Sequence, residues 1–133
     1  MNAKLLRNAF LLALVFVLAF ASVAQAAGHI KPGNVKVTIR DAIDGAKIDL
    51  PKQFPLRVEA YQNGKLADHF IMKYPSSIKR TWPAGKFDLK LIDATSHTTL
   101  ANCGPYYLTS TRKFTIWAYL IDNKTAACKL LAK

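Results

Sequence analysis

Residues 80–93, RTWPAGKFDLKLID, hold the pattern that decides the fold of this chain. After the glycine, apolar and polar side chains alternate, and the apolar ones on one face are Phe87, Leu89 and Leu91. A period of two is typical of a strand with one buried face. Pro83 and Gly85 supply the fixed φ and the permissive backbone of a tight turn. The stretch therefore predicts a strand, a turn and a second strand, with Trp82 beside the turn.

The same alternation recurs along the chain, with turn residues between the alternating runs. It predicts strands over residues 35–40, 46–50, 56–61, 66–74, 87–93, 100–103, 113–121 and 126–131. Asn63-Gly64 lies between two apolar runs, which is the strongest short hairpin signal in a sequence. Apolar residues at helical spacing do not occur over three turns in this part of the chain. We therefore expect a single all-β domain, an immunoglobulin-like sandwich of seven or eight antiparallel strands.

The first 26 residues have the composition of a cleaved signal peptide. Lys4 and Arg7 precede an unbroken apolar run over residues 9–21, and Ala24-Gln25-Ala26 is a small-residue cleavage site. The run is shorter than the roughly 20 residues that cross a bilayer. We therefore predict a periplasmic or secreted protein with no membrane span and no lipid anchor. Residues 27–34 would form a flexible lead, and residues 35–133 the sandwich domain.

The chain is strongly basic, with 19 lysines and arginines against 8 acidic residues. Such a field attracts polyanions, and an exported protein meets those of the cell envelope rather than nucleic acid. The alternative is that the charge only keeps a small monomeric domain in solution. If the charge binds a ligand, the side chains expected to supply it are Lys73, Lys79, Arg80, Lys86, Lys90 and Lys113. The expected aromatic anchors are Trp82, Trp117 and Tyr119.

Trp117 and Tyr119 have a second interpretation. They alternate with the apolar face of the strand over residues 113–121. They either pack beneath a covering loop or form an aromatic platform for a sugar ring or a partner strand.

The two cysteines, Cys103 and Cys128, lie in the predicted domain. An even count in an oxidising compartment predicts one disulfide. The alternative, a redox or copper-binding thiol pair, is disfavoured because their spacing is far from a Cys-x-x-Cys motif.

Metal-binding and catalytic patterns are weak in this sequence. The three histidines are His29, His69 and His97, and His69 and Met72 would point to opposite faces of one strand. We find no nucleophile motif of the Gly-x-Ser-x-Gly type. The sequence therefore predicts no catalytic residue, no metal site and no cofactor.

The run WPAGKFDLKL at positions 82–91 resembles a motif of small prealbumin-like sandwiches. In the transthyretin-like, carboxypeptidase-regulatory-like and collagen-adhesin B-type modules, a Pro-Ala-Gly turn often precedes an aromatic residue and an alternating strand. Residues 35–48 are similar to the first two strands of those modules. The resemblance implies a prealbumin-like fold and almost nothing about function.

Taken together, these patterns predict an exported, non-catalytic binding or structural module of a bacterial envelope. Its partner would be a polyanion, a carbohydrate or a protein, and the module itself a monomer or weak oligomer. The alternative is a secreted interaction protein, pilus-type subunit or enzyme inhibitor that acts through edge strands or surface contacts.

Overall fold

A computed structural model describes residues 33–133 of the chain. The predicted signal peptide, residues 1–26, and most of the predicted lead lie outside this part. The described strands are β1 Asn34–Asp41, β2 Leu56–Gln62, β3 Lys65–Met72, β4 Ser76–Pro83, β5 Gly85–Asp93, β6 Thr98–Leu108, β7 Phe114–Ile121 and β8 Thr125–Ala132. The sandwich thus begins at Asn34, one residue before the predicted start of the domain.

The strands form two four-stranded sheets, and the prediction of an all-β sandwich is confirmed. Sheet 1 has the order β4-β1-β7-β8, and sheet 2 has the order β3-β2-β5-β6. Every neighbouring pair is antiparallel except β1 and β7, which run parallel with Val37 opposite Phe114. The expectation of antiparallel strands throughout is corrected at this pair. Between β1 and β7 the chain forms β4 of sheet 1 and all four strands of sheet 2. This long connection does not require β7 to run antiparallel to β1.

The deciding stretch carries the chain from one sheet to the other. β4 ends at Pro83 in sheet 1, and β5 begins at Gly85 in sheet 2. Gly85 has a φ of 156°, a backbone conformation that residues with a side chain rarely adopt, so glycine suits this position. Trp82 and Phe87, on either side of the turn, stack with ring centroids 5.0 Å apart. The turn therefore holds the two sheets together at this end.

Alternating residues of the strands fill the space between the sheets. The predicted inward set Phe87, Leu89 and Leu91 is at most 1% exposed. The hairpin at Asn63-Gly64 is also confirmed, since Gln62 and Lys65 pair and both turn residues have positive φ.

Three predicted segments have different bounds or a different structure. Residues 46–50 are not a strand: Gly45–Ile48 form a short 3-10 helix, which Asp44 caps by accepting the N–H of Ala46. β3 ends at Met72 rather than at residue 74, and β6 continues through Gly104 and Pro105 instead of stopping at residue 103. Alternation within a segment does not fix where a strand begins or ends. Pairing with a neighbouring strand does.

Both long edges of the sandwich are closed between the sheets. At one edge, the predicted disulfide is confirmed and joins Cys103 of β6 to Cys128 of β8. At the other edge, Asp68 of β3 accepts hydrogen bonds from Arg80 and Trp82 of β4. Each closure links a strand of sheet 2 to the strand of sheet 1 that lies over it.

Candidate functional site

The charged side chains on the outer face of sheet 1 are all cationic. Its cationic side chains are Lys36, Arg40, Lys79, Lys113, Lys129 and Lys133. Within residues 33–133, no aspartate or glutamate side chain lies on this face. The outer face of sheet 2 is mixed, with Arg57, Lys86 and Lys90 beside Glu59 and Asp88. The basic character of the domain is therefore concentrated on one of its two faces.

Three lysines lie side by side on neighbouring strands of sheet 1. Because Val37 pairs with Phe114, the preceding residues Lys36 and Lys113 are adjacent across β1 and β7. The backbone N–H of Lys133 donates to the carbonyl of Lys113 at 2.9 Å, which places Lys133 next in the row. Side chains directly opposite each other on neighbouring strands have Cβ atoms about 5 Å apart. The three lysine side chains therefore leave the sheet close together.

A fourth lysine completes this arrangement. Lys79 of β4 pairs with Thr38, two residues along β1 from Lys36 and on the same face. We refer to Lys36, Lys79, Lys113 and Lys133 as the lysine cluster.

The lysine cluster surrounds a surface depression of about 470 Å³. Its four lysines line the depression together with Thr38, Thr81 and Thr115. A second depression of about 440 Å³ shares three of the four lysines and adds Ser110, Thr111 and Arg112. The surface therefore offers ammonium and hydroxyl donors around the same open space.

The cations of the lysine cluster have no carboxylate partner among the described residues. The two ion pairs among residues 33–133 join Arg57 to Glu59 at 2.9 Å and Arg80 to Asp68 at 2.6 Å. Neither involves a lysine of the cluster.

The predicted lysines do not form one surface. Lys79 and Lys113 belong to the lysine cluster, but Lys86 and Lys90 lie on the opposite face, in β5 of sheet 2. The ammonium group of Lys90 is 5.4 Å from the ring centre of Tyr61. Lys73 is exposed just beyond the end of β3. Of the six predicted cations, only Lys79 and Lys113 therefore lie on the outer face of sheet 1.

Trp82 and Arg80 hold the sandwich edge and are not free surface groups. Trp82 is 2% exposed and donates its indole N–H to Asp68 at 2.9 Å. Arg80 donates to both oxygens of Asp68, at 2.6 and 2.7 Å, and its guanidinium carbon lies 4.9 Å from the ring centre of Phe70. The hydrogen bond from Arg80, helped by that from Trp82, lowers the pKa of Asp68 below its ordinary value. Trp82, which the sequence analysis names as a ligand anchor, is thus buried at the sandwich edge and is not an exposed aromatic surface.

Trp117 and Tyr119 lie half-buried on the outer face of sheet 1, as their alternation predicted. The guanidinium carbon of Arg40 lies 4.3 Å from the ring centre of Trp117. One face of the indole is therefore covered by a cation and is not open for stacking on a sugar ring.

Sequence reasoning missed Lys36, Arg40, Lys129 and Lys133. Lys36 alternates with the buried Val35 and Val37 on β1 and is exposed. The sequence does not indicate that β1 lies between β4 and β7. This position places Lys36 beside Lys79 and Lys113.

A buried carboxyl group lies at the far end of β1. Asp41 is 1% exposed and accepts the N–H of Ile43 through Oδ1 at 2.9 Å. Its Oδ2 and the Oγ of Ser76, the residue paired with it on β4, are both buried without a hydrogen-bond partner. Burial raises the pKa of Asp41 from 3.8 to about 6, against the opposing hydrogen bond from Ile43.

Residues 33–133 contain no group of three histidine, cysteine or acidic side chains placed to hold a metal ion. His29 lies outside this range. None of the helices in the same range has the length and apolar character needed to span a membrane.

Fold and surface together define a small disulfide-linked β-sandwich with one cationic face. No family model matches the chain, and no curated protein matches it.

Proposed function

We propose that this protein is an exported, non-catalytic module that binds an envelope polyanion through the outer face of sheet 1. The observation that carries the proposal is the grouping of Lys36, Arg40, Lys79, Lys113, Lys129 and Lys133 on one face. Among residues 33–133, that face has no aspartate or glutamate side chain, whereas the opposite face mixes both signs.

The arrangement has a cost for the free protein. Like charges directly opposite each other on neighbouring strands are destabilising. Lys36, Lys113 and Lys133 form two such neighbouring pairs. A charge that served only solubility could be spread over both faces without this repulsion. A bound polyanion removes the repulsion, so the cluster favours the bound state.

Binding of this kind depends on salt. Exposed ammonium groups attract a polyanion mainly through long-range electrostatics, which salt screens over about 8 Å at physiological ionic strength. We therefore expect affinity to fall steeply as salt is added.

The test compares two variants with the same net charge. K36Q/K79Q/K113Q removes three cations from the lysine cluster, and K73Q/K86Q/K90Q removes three that lie elsewhere. Binding to heparin, a soluble polyanion, is measured by calorimetry over a series of salt concentrations. The cluster variant is expected to lose most of its affinity and to have a shallower salt dependence, while the control stays close to the natural protein.

Thermal unfolding of the same variants supplies the second measurement. Because the cluster variant relieves like-charge repulsion, it is expected to be as stable as the natural protein or slightly more stable. Its loss of binding would then not come from unfolding. Equal losses of affinity in the two variants would show that only net charge matters, and would refute the proposed site.

A further inference from the structure

We infer that the lysine cluster takes a clustered phosphate group, a phosphomonoester or pyrophosphate, rather than the separate carboxylates of an acidic polysaccharide. This rests on the proposed function and names the ligand chemistry of the same surface. The cluster places at least three ammonium groups on neighbouring strands around one depression. A phosphomonoester brings a charge of about −1.5 to −2 and three acceptor oxygens to one point. The carboxylates of a polysaccharide bring one charge each, on separate rings.

The kind of cation is compatible with phosphate. Lysine is a compact point charge with three donors and commonly binds phosphate, whereas the planar fork of arginine matches carboxylate and phosphate alike. The cluster consists of lysines. Arg80 also lines the depression, but its guanidinium pairs with Asp68, and the guanidinium of Arg40 lies over the ring of Trp117. Arg112 lines only the adjoining depression.

Hydroxyl groups supply further donors around the lysines. Thr38 and Thr115 are paired neighbours on β1 and β7, and Thr81 pairs with Lys36. All three line the same depression as the lysine cluster. A tetrahedral phosphate with several acceptor oxygens can use ammonium and hydroxyl donors together.

Recognition of a sugar ring has less support on this face. The aromatic side chain best placed to stack on a sugar is Trp117, and Arg40 covers one face of its ring. Charge, rather than stacking, is what this surface provides.

The first experiment measures binding of inorganic pyrophosphate and of polygalacturonate by calorimetry, with heparin as the reference polyanion. Pyrophosphate is expected to bind, with about a tenfold loss in K36Q or K113Q, since each removes one charged donor. The control K86Q, on the opposite face, is expected to bind as the natural protein does. Equal affinity for polygalacturonate and pyrophosphate at matched charge would overturn the inference. Binding to heparin without binding to pyrophosphate would also overturn the inference about phosphate, but it would agree with the proposed binding of a polyanion. Binding to none of the three would overturn both.

The second experiment separates the two sources of such a group. Vesicles of phosphatidylcholine with phosphatidic acid, a lipid phosphomonoester, are compared with vesicles that carry phosphatidylserine at equal surface charge. Preference for phosphatidic acid, weakening as pH falls through about 6 where a phosphomonoester gains a proton, supports the inference with a lipid source. Binding of pyrophosphate without any binding to these vesicles supports it with a soluble source. Equal binding to both vesicles with no pH dependence near 6 would overturn it.

Discussion

The substitution Asp41→Asn is expected to stabilise the protein at neutral pH. Asp41 is 1% exposed, and its Oδ2 is buried without a hydrogen-bond partner. Its Oδ1 accepts the N–H of Ile43, a hydrogen bond that the amide oxygen of asparagine can keep. The amide nitrogen would take the place of Oδ2, on the side of Ser76, whose hydroxyl also lacks a partner. The variant thus removes a buried negative charge and keeps the local turn.

The pKa of Asp41 determines how much the free energy of unfolding is expected to change. Burial raises it from 3.8 to about 6, so the folded state binds the proton more tightly than the unfolded state does. The associated stability is fully present below about pH 3.8 and is lost as pH rises through about 6. At one pKa unit to 1.36 kcal/mol, the loss above pH 7 is about 3 kcal/mol. The natural protein and the variant should therefore differ by about 2–3 kcal/mol more at pH 8 than at pH 4.

The measurement is urea unfolding of both proteins at several pH values, followed by tryptophan fluorescence. Asp44→Asn is the matched control, because Asp44 also accepts a backbone N–H two residues ahead but is not fully buried. The control shows what the same exchange of carboxylate for amide does where the side chain is not fully buried. If Asp41→Asn lowers the free energy of unfolding equally at pH 4 and pH 8, the charge of Asp41 is compensated in the folded state and the reasoning fails.

Two further predictions concern the closed edges of the sandwich. Asp68→Ala leaves the buried indole N–H of Trp82 without an acceptor and should cost about 2–3 kcal/mol at pH 7 by chemical denaturation. Because the pKa of Asp68 is lowered in the folded state, the stabilisation by its ionised carboxylate is lost as pH falls below about 3.8. The stability lost in Asp68→Ala should therefore be smaller in acid. A loss that is the same at every pH would contradict this reasoning. Replacing Cys103 and Cys128 with serine opens the other edge and should lower stability by about 3 kcal/mol. A reducing agent should destabilise the natural protein by a similar amount and leave this variant unchanged.

Much of the fold was predictable because alternation is a property of each strand by itself. The apolar sides of β1, β5 and β7 are inward, as the sequence predicts, and the Asn63-Gly64 hairpin forms. The predictions fail where contacts with other strands determine the structure of a segment or the position of a side chain. Residues 46–50 alternate but have no neighbouring strand, so part of them forms a 3-10 helix instead. Trp82 was expected at the surface, but it lies on the inward side of β4 and Asp68 satisfies its polar atom.

The candidate site was only partly predictable for the same reason. Lys79 and Lys113 were identified as exposed cations, yet so were Lys86 and Lys90, which lie on the opposite face. Sequence alone determined the excess of positive charge, the inward and outward sides of the strands and the cysteine pair. Only the tertiary structure decided which outward faces join, because the parallel pairing of β1 with β7 brings together lysines that are distant in the chain. A period of two orients each side chain, whereas strand order alone determines which charges become neighbours.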